Sequence, residues 1–235
     1  MDGAGSVRLR LHSNRPGWPV SMNSRHIMVL CACIALAGCK FVPTAEKHKQ
    51  ASLNSAQTPD KGFDAKVASL WQAKVLPYAK AKAGNLPDVL TAIRADPDAA
   101  GAKYGFRENG GSAPWTLLAR AEGKIMAANT ESRAATIDID SDNDGKADAR
   151  IQIGPVIRGT TIRDSLDFVN FNDFTNQIDF AQFGKAFNTY IVEKVLASVP
   201  REGLVGKSVV VEGAFPLPAG QDLPLITPLA LEIRP

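Results

Sequence analysis

Two short runs of alternating apolar and polar residues lie near the middle of the chain, at 136–140 and 147–153. Alternation with a period of two is typical of a strand with one buried face. Residues 141–145, of sequence SDNDG, separate the runs and are types that favour tight turns. The pattern predicts a β-hairpin with an acidic tip.

The alternation also predicts the register of this hairpin. If Ile139 lies opposite Ala149, then Asp138 lies opposite Arg150. Opposite charges facing each other across two strands stabilise the pair. We therefore expect an ion pair on the solvent-facing side of the hairpin.

A long amphipathic helix is predicted after the hairpin. Its N-cap candidates are Asn172, Asp173 and Thr175, whose side-chain oxygens can accept bonds from a first turn. The apolar face follows helical spacing and consists of Phe180, Phe183, Phe187, Ile191 and Val195, with Ile178, Tyr190 and Val199 near it.

The segment 61–105 is predicted to form a helical arm. Asp60 is the expected N-cap of its first helix, which should kink or end at Pro77. Asn85 is the expected cap of a second, shorter helix. Residues 97–114 are interpreted as a Gly-rich connection.

Three further runs predict strands, at 115–127, 208–215 and 225–233. The order is then three strands, one helix and two strands, which is the order of the OB-fold. We predict an α+β protein with a single OB-like five-stranded β-barrel over 114–235. The long helix lies between the third and fourth strands, and the arm precedes the barrel.

The N-terminal region has the features of an export signal. Residues 1–21 lack periodicity, and we expect them to lie upstream of the true start. Residues 22–38 form the signal, in which 27–36 is an apolar stretch too short to span a membrane. The sequence Leu-Ala-Gly then precedes Cys39. This motif predicts that Cys39 is the first residue of the mature chain and that its sulfur carries a diacylglycerol. The alternative is an uncleaved hydrophobic anchor.

Several consequences follow for location. Acyl chains on Cys39 anchor the protein to a lipid bilayer on the periplasmic side. Lys40, rather than aspartate, at the next position favours the outer membrane. Residues 39–60 are interpreted as a tether and 61–235 as the periplasmic domain. Cys31 and Cys33 lie in the signal, so the mature chain contains no second cysteine for a disulfide.

The formal net charge of +3 arises in the first 38 residues, and outside them acidic and basic side chains are equal in number. A neutral mature chain gives no general argument for nucleic acid or anionic lipid. The predicted binding face of the barrel argues further against nucleic acid, because it lacks aromatic residues and is rich in acid. Its solvent-facing residues would be Thr136, Asp138, Asp140, Asp148, Arg150 and Gln152.

The acidic tip is a candidate Ca²⁺ site. Alternate oxygen ligands around a glycine match the first positions of an EF-hand loop, and the candidates are Asp140, Asp142, Asp144, the carbonyl of Lys146, and Asp148. However, Ile151 stands where that loop requires a bidentate carboxylate. The alternative is a solvated Asp-rich turn without a metal.

A second candidate site consists of Arg158, Arg163, Asp164, Asn176 and Gln177. Two arginines near the start of a helix can bind a carboxylate or phosphate. Alternatively, one of the arginines pairs with Asp164 and braces the crossover below the barrel, as structural ion pairs often do.

The acidic hairpin, the sequence GPVIRGTTIRD at 154–164 and the sequence FNDFTNQIDFAQF at 171–183 resemble a family of predicted bacterial periplasmic lipoproteins. The biochemical function of that family is uncharacterised, and its members are often encoded beside sugar-type ABC importers. The resemblance extends over the mature chain. It implies a lipoprotein with components of such an importer as partners.

No Ser/His/Asp set, Cys/His pair or Gly-rich phosphate loop is recognisable in the sequence. We therefore expect a non-catalytic accessory or binding lipoprotein that requires no cofactor. A ligand or partner should contact the rim formed by loops 129–133 and 216–224. The alternatives are a calcium-binding structural lipoprotein and a periplasmic hydrolase whose site is not recognisable.

Overall fold

A helical arm begins the part of the chain that the computed structural model describes, namely residues 62–108, 113–220 and 222–235. The signal sequence, Cys39, the tether and Asp60 lie outside these residues. The arm contains α1 (Phe63–Leu70), a π-helical turn (Trp71–Val75), α2 (Leu76–Lys82), β1 (Gly84–Asn85), α3 (Leu86–Ala95), α4 (Pro97–Tyr104) and β2 (Gly105–Phe106). No helix of the described residues is long and apolar enough to cross a membrane.

Five strands then form a closed barrel. They are β3 (Thr116–Asn129), β4 (Thr136–Asp140), β5 (Ala149–Gln152), β6 (Ser208–Pro216) and β7 (Leu225–Arg234). Their order is β3-β4-β5-β7-β6, and pairing of β6 with β3 closes the barrel. The β5–β7 pair is parallel and the other barrel pairs are antiparallel. This is the OB topology, so the predicted α+β barrel is confirmed.

The crossover from β5 to β6 carries the remaining helices. They are α5 (Thr161–Asp164), a 3₁₀ turn (Phe171–Asp173), α6 (Gln177–Tyr190) and a second π-helical turn (Ile191–Val195). Helix α6 thus occupies the predicted place between the third and fourth barrel strands.

The predicted hairpin register is confirmed. Ile139 lies opposite Ala149 and Asp138 lies opposite Arg150. Two of the residues predicted to be solvent-facing are nevertheless buried, since Asp140 is 4% exposed and Gln152 is 2% exposed. Both are covered by chain that follows a strand and folds back over it.

Adjacent residues of β3 contribute to two different cores. Leu117 belongs to the barrel interior, which α3 helps to close with Leu86 and Val89. Leu118 points the other way, into a second core that is shared with Trp71 and with residues of α6. Burial on both faces explains why the start of β3 is a continuous apolar run rather than an alternating one.

The structure corrects several predictions about the helices. Residues 97–114 are not only a connection, because α4 forms there and the Asp96 side chain accepts bonds from the amides of Asp98 and Ala99, each at 3.0 Å. The first helix does not end at Pro77. A π-helical turn precedes the proline, with the Leu76 amide bonded to the Trp71 carbonyl, and the helix continues to Lys82.

A further correction concerns α6. Its N-cap is Asn176, whose Oδ1 accepts from the amides of Ile178 at 2.9 Å and Asp179 at 3.0 Å, and not Asn172, Asp173 or Thr175. Ile178 lies on the outer face and is 65% exposed. Asn85 stands at the N-cap of α3 as predicted, but its side chain makes no capping bond.

Candidate functional site

The acidic hairpin tip is organised by its own carboxylates. Asp140 Oδ1 accepts from the Asn143 amide at 2.7 Å, and its Oδ2 accepts from the Gly145 amide at 2.9 Å. Asn143 and Gly145 both have positive φ, 64° and 85°. This conformation suits asparagine and glycine and turns successive amides towards one carboxylate.

Three of the predicted metal ligands come together at this tip. Asp140, Asp142 and Asp148 each offer a carboxylate oxygen within 4.8 Å of the others. Asp148 Oδ2 also accepts from the amide and the hydroxyl of Ser141, each at 2.7 Å. Carboxylates that already accept protein hydrogen bonds retain further lone pairs for an ion.

The other predicted ligands are placed differently. Asp144 is not in the three-carboxylate group, and its Oδ1 accepts from the Lys146 amide at 2.8 Å. Ile151, at the position of the missing bidentate ligand, is fully buried in the barrel core. The geometry therefore offers a three-carboxylate cluster rather than an EF-hand loop.

The second predicted set does not form one site. Arg163 binds its neighbours instead, with Nη2 at 2.6 Å from Asp164 Oδ1 and Nη1 donating to the Phe180 carbonyl at 2.9 Å. Its guanidinium also lies 3.7 Å from the centre of the Phe180 ring. These contacts attach the crossover to α6, which is the bracing role left open by the sequence.

The remaining members of that set lie apart. Asn176 caps α6, and Gln177 is exposed beside Ile178 on the outer face of that helix. Arg163 and Asp164 line a cavity of about 240 Å³ near Thr116. Arg158 lines a separate cleft, so the five residues are divided between different parts of the surface.

The cleft that contains Arg158 lies on the face of β4 and β5. It has a volume of about 250 Å³ and is bounded by the end of β3, by the β3–β4 loop and by the two arginines Arg150 and Arg158. Its lining residues are Ala127, Ala128, Asn129, Ser132, Ala134, Thr136, Asp138, Arg150 and Arg158. This is the face, and one of the loops, at which OB-folds bind their ligands.

A two-point ion pair crosses the floor of this cleft. Arg150 Nε and Nη2 donate to Asp138 Oδ1 and Oδ2 at 2.6 and 2.8 Å. The hydrogen bond to Asp138 raises the pKa of Arg150, and the charge of Asp138 adds to this effect. The pair is a fixed, internally neutral part of the surface.

The β3–β4 loop, residues 130–135, is held on three sides. Arg201 Nη2 donates to the carbonyl of Thr130 at 2.6 Å. The Val156 amide donates to the carbonyl of Arg133 at 3.1 Å. Gly154 lies so close to the loop that a Cβ there would be 2.3 Å from the Ala135 nitrogen and the Arg133 oxygen.

A buried glutamine holds the chain that follows β5. Gln152 Nε2 donates to Thr227 Oγ1 at 2.8 Å, and Gln152 Oε1 accepts from the Arg158 amide at 2.7 Å. Sequence reasoning missed Gln152 and Arg201 as supports of the site. The only local signal for Gln152 was a polar residue between Ile151 and Ile153, which by itself indicates a solvent-facing position.

An OB barrel with a cleft on its β4–β5 face defines the structural class of this protein. The chain belongs to the family of predicted periplasmic lipoproteins (DUF2291), whose model matches residues 29–232 and so includes Cys39. Membership of this family supports a membrane-anchored protein on the periplasmic side.

Comparison with solved structures gives the same fold. The chain is similar to an OB-fold protein from Thermotoga maritima, with 20% sequence identity and a TM-score of 0.58, over 73% of this chain and 98% of that one. At this identity the similarity shows the fold alone. No match was found among curated proteins.

Proposed function

We propose that this protein is a non-catalytic accessory lipoprotein that binds a partner or ligand at the rim of its barrel. Acylated Cys39 holds it on the periplasmic side of a bacterial membrane, with the outer membrane favoured. The observation that carries the proposal is the cleft on the β4–β5 face, next to a loop held by Arg201 and Gly154.

The held loop suits recognition. A loop that is already ordered loses little conformational entropy when a partner docks on it. The second rim loop, 217–224, is fixed at both ends, because the Leu217 amide bonds to the Trp115 carbonyl at 2.8 Å and the Arg150 amide bonds to the Pro224 carbonyl at 2.9 Å. Its prolines restrict the free state further.

The proposed partners are components of a sugar ABC importer. The support is the resemblance to lipoproteins encoded beside such importers, together with an anchor that keeps the barrel in the periplasm. A mature chain without excess charge does not favour nucleic acid as a partner.

Ca²⁺ is proposed as a structural ion rather than a cofactor for catalysis. Asp140, Asp142 and Asp148 are close enough to share one ion. An ion there would link the two ends of the hairpin tip, because Asp140 ends β4 and Asp148 directly precedes β5. The predicted role is to stiffen the tip.

Crosslinking in living cells tests the docking role. A photo-crosslinking residue in place of Glu131, which is exposed in the β3–β4 loop, should capture a solute-binding protein or permease. The same residue in place of Gln72, which is exposed on the helical arm, is the matched control and should not. Replacement of 216–224 by a Gly/Ser linker should abolish capture from position 131.

Equal capture from positions 131 and 72 would contradict rim docking. Turnover of a substrate by the purified full chain would instead favour the alternative, a periplasmic hydrolase. In that case the groups to substitute first are Arg158, Arg163 and Asp164.

A further inference from the structure

We infer that the cleft on the β4–β5 face binds a small hydroxylated monocarboxylate, and that Arg158 is the residue that pairs with its carboxylate. This inference rests on the proposed binding function and names the ligand class of the same site. It follows from the charge, the fixed geometry and the polarity of the cleft.

The charges in the cleft leave one guanidinium unmatched. Asp138 and Arg150 neutralise each other through two short hydrogen bonds. Arg158 is exposed, and no ion pair or side-chain hydrogen bond of its guanidinium occurs within the described residues. A ligand with one negative charge would complete the site.

The backbone of Arg158 is fixed by hydrogen bonds to Gln152. Its amide donates to Gln152 Oε1 at 2.7 Å, and its carbonyl accepts from Gln152 Nε2 at 3.3 Å. Gln152 is only 2% exposed and also bonds to Thr227, so its side chain is held in one position. Because both the amide and the carbonyl of Arg158 are held, less conformational entropy is lost when its guanidinium binds an anion.

The size and lining of the cleft indicate the rest of the ligand. A volume of about 250 Å³ corresponds to roughly eight water molecules at about 30 Å³ each. Three alanines line the cleft, and Asn129, Ser132 and Thr136 supply an amide and two hydroxyl groups. Among the described residues no aromatic side chain lines the cleft, which disfavours stacked rings and favours hydroxyl groups as the ligand's other polar contacts.

The charge balance favours a carboxylate over a phosphate. A guanidinium binds either group through paired N–H donors. A phosphate monoester, however, carries about −1.5 to −2 at neutral pH. One unmatched arginine would leave part of that charge uncompensated close to Asp138.

The test is calorimetric titration of the full chain, purified in detergent, with D-gluconate as the probe. D-Glucose presents similar hydroxyl groups without the charge, and inorganic phosphate presents charge without the hydroxyl chain. We expect gluconate to bind, glucose to bind at least tenfold more weakly, and phosphate not to displace gluconate at equal concentration. Arg158→Gln should weaken gluconate binding at least about tenfold, which is the effect of removing one charge-assisted hydrogen bond.

Arg120→Gln is the matched control, since Arg120 is an exposed arginine of the barrel that does not line the cleft. It should leave gluconate affinity unchanged. Equal weakening by both variants, displacement by phosphate, or no heat with gluconate would overturn the inference.

If gluconate fails to bind while position 131 still captures its partner, the ligand class is wrong and the docking role stands. If gluconate binds in an Arg158-dependent manner without any captured partner, the inference stands and the docking role falls.

Discussion

Arg150 contacts both carboxylate oxygens of Asp138 across the β4–β5 pair, at 2.6 and 2.8 Å. The arginine side chain is 47% exposed, so water screens the pair. We expect a coupling energy of no more than about 1 kcal/mol. Urea unfolding of Asp138→Ala, Arg150→Ala and the double variant measures it, and a coupling well above that value would show that the pair is less accessible to solvent than its exposure indicates.

This pair also shows what the sequence can predict. The hairpin register depends on neighbouring residues only, because alternation places Ile139, Asp138 and their partners once the turn is recognised. The strands of the barrel and the position of α6 follow from the same local patterns. The OB order of strands and helix can therefore be predicted without tertiary contacts, and the structure confirms it.

The cleft required contacts between distant segments. Gln152 is buried because the chain after β5 returns over it and because Thr227 of β7 reaches it. Arg201 supports the β3–β4 loop from about 70 residues further along the chain. Local patterns carry no information on such pairings, and alternation alone therefore predicts a solvent-facing Gln152.

The missed helix α4 has a different cause. Asp96 followed by Pro97 is a strong start signal, since aspartate caps the first amides and proline suits the first helical position. The glycines at 101, 105, 110 and 111 are instead typical of a loop. Gly101 is used for packing, because a Cβ there would lie 2.2 Å from the Trp115 ring.

Gly154→Ala should destabilise the protein and loosen the cleft. Its Cβ would be 2.3 Å from backbone atoms of Arg133 and Ala135. Overpacking of this kind costs about 1–3 kcal/mol, which urea unfolding measures, and amide exchange in 130–135 should become faster. Gly203→Ala is the control, because its positive φ of 63° adds local strain but no atom lies within 4 Å of the new Cβ. Unchanged exchange in the loop would contradict the role assigned to Gly154.

Cys39→Ser should release the protein from the membrane fraction. Removing the acylated sulfur removes the hydrocarbon chains, each methylene of which contributes about 0.8 kcal/mol to membrane binding. Mass spectrometry of the native protein should find Cys39 as an acylated N-terminal residue. Cys33→Ser is the control and should remain in the membrane fraction. A purified protein that retains residues before position 39 would contradict the prediction.

Asp142→Asn should weaken Ca²⁺ binding at the hairpin tip. Asp142 belongs to the three-carboxylate group, whereas Asp144 does not, so Asp144→Asn is a matched control that should have a smaller effect. We expect a dissociation constant of about 0.1–1 mM, which is typical of extracellular calcium modules. The measurement is the rise in melting temperature with added Ca²⁺. No rise at millimolar ion would leave the tip as a turn stabilised only by its own hydrogen bonds.

Tyr78→Phe should remove part of the loss of stability at alkaline pH. Burial raises the pKa of Tyr78 to about 12, and the nearby charge of Asp167 adds to this effect. In the unfolded chain the phenol ionises near its ordinary pKa of 10.0, so the folded state binds the proton more tightly over this range. The contribution of Tyr78 to stability is present in full below pH 10 and is lost as the pH rises towards 12.

Urea unfolding at pH 9, 10 and 11 should therefore show a shallower decline of the unfolding free energy with pH in Tyr78→Phe than in the wild type. Parallel curves for Tyr78→Phe and the wild type would show that Tyr78 does not contribute to the decline.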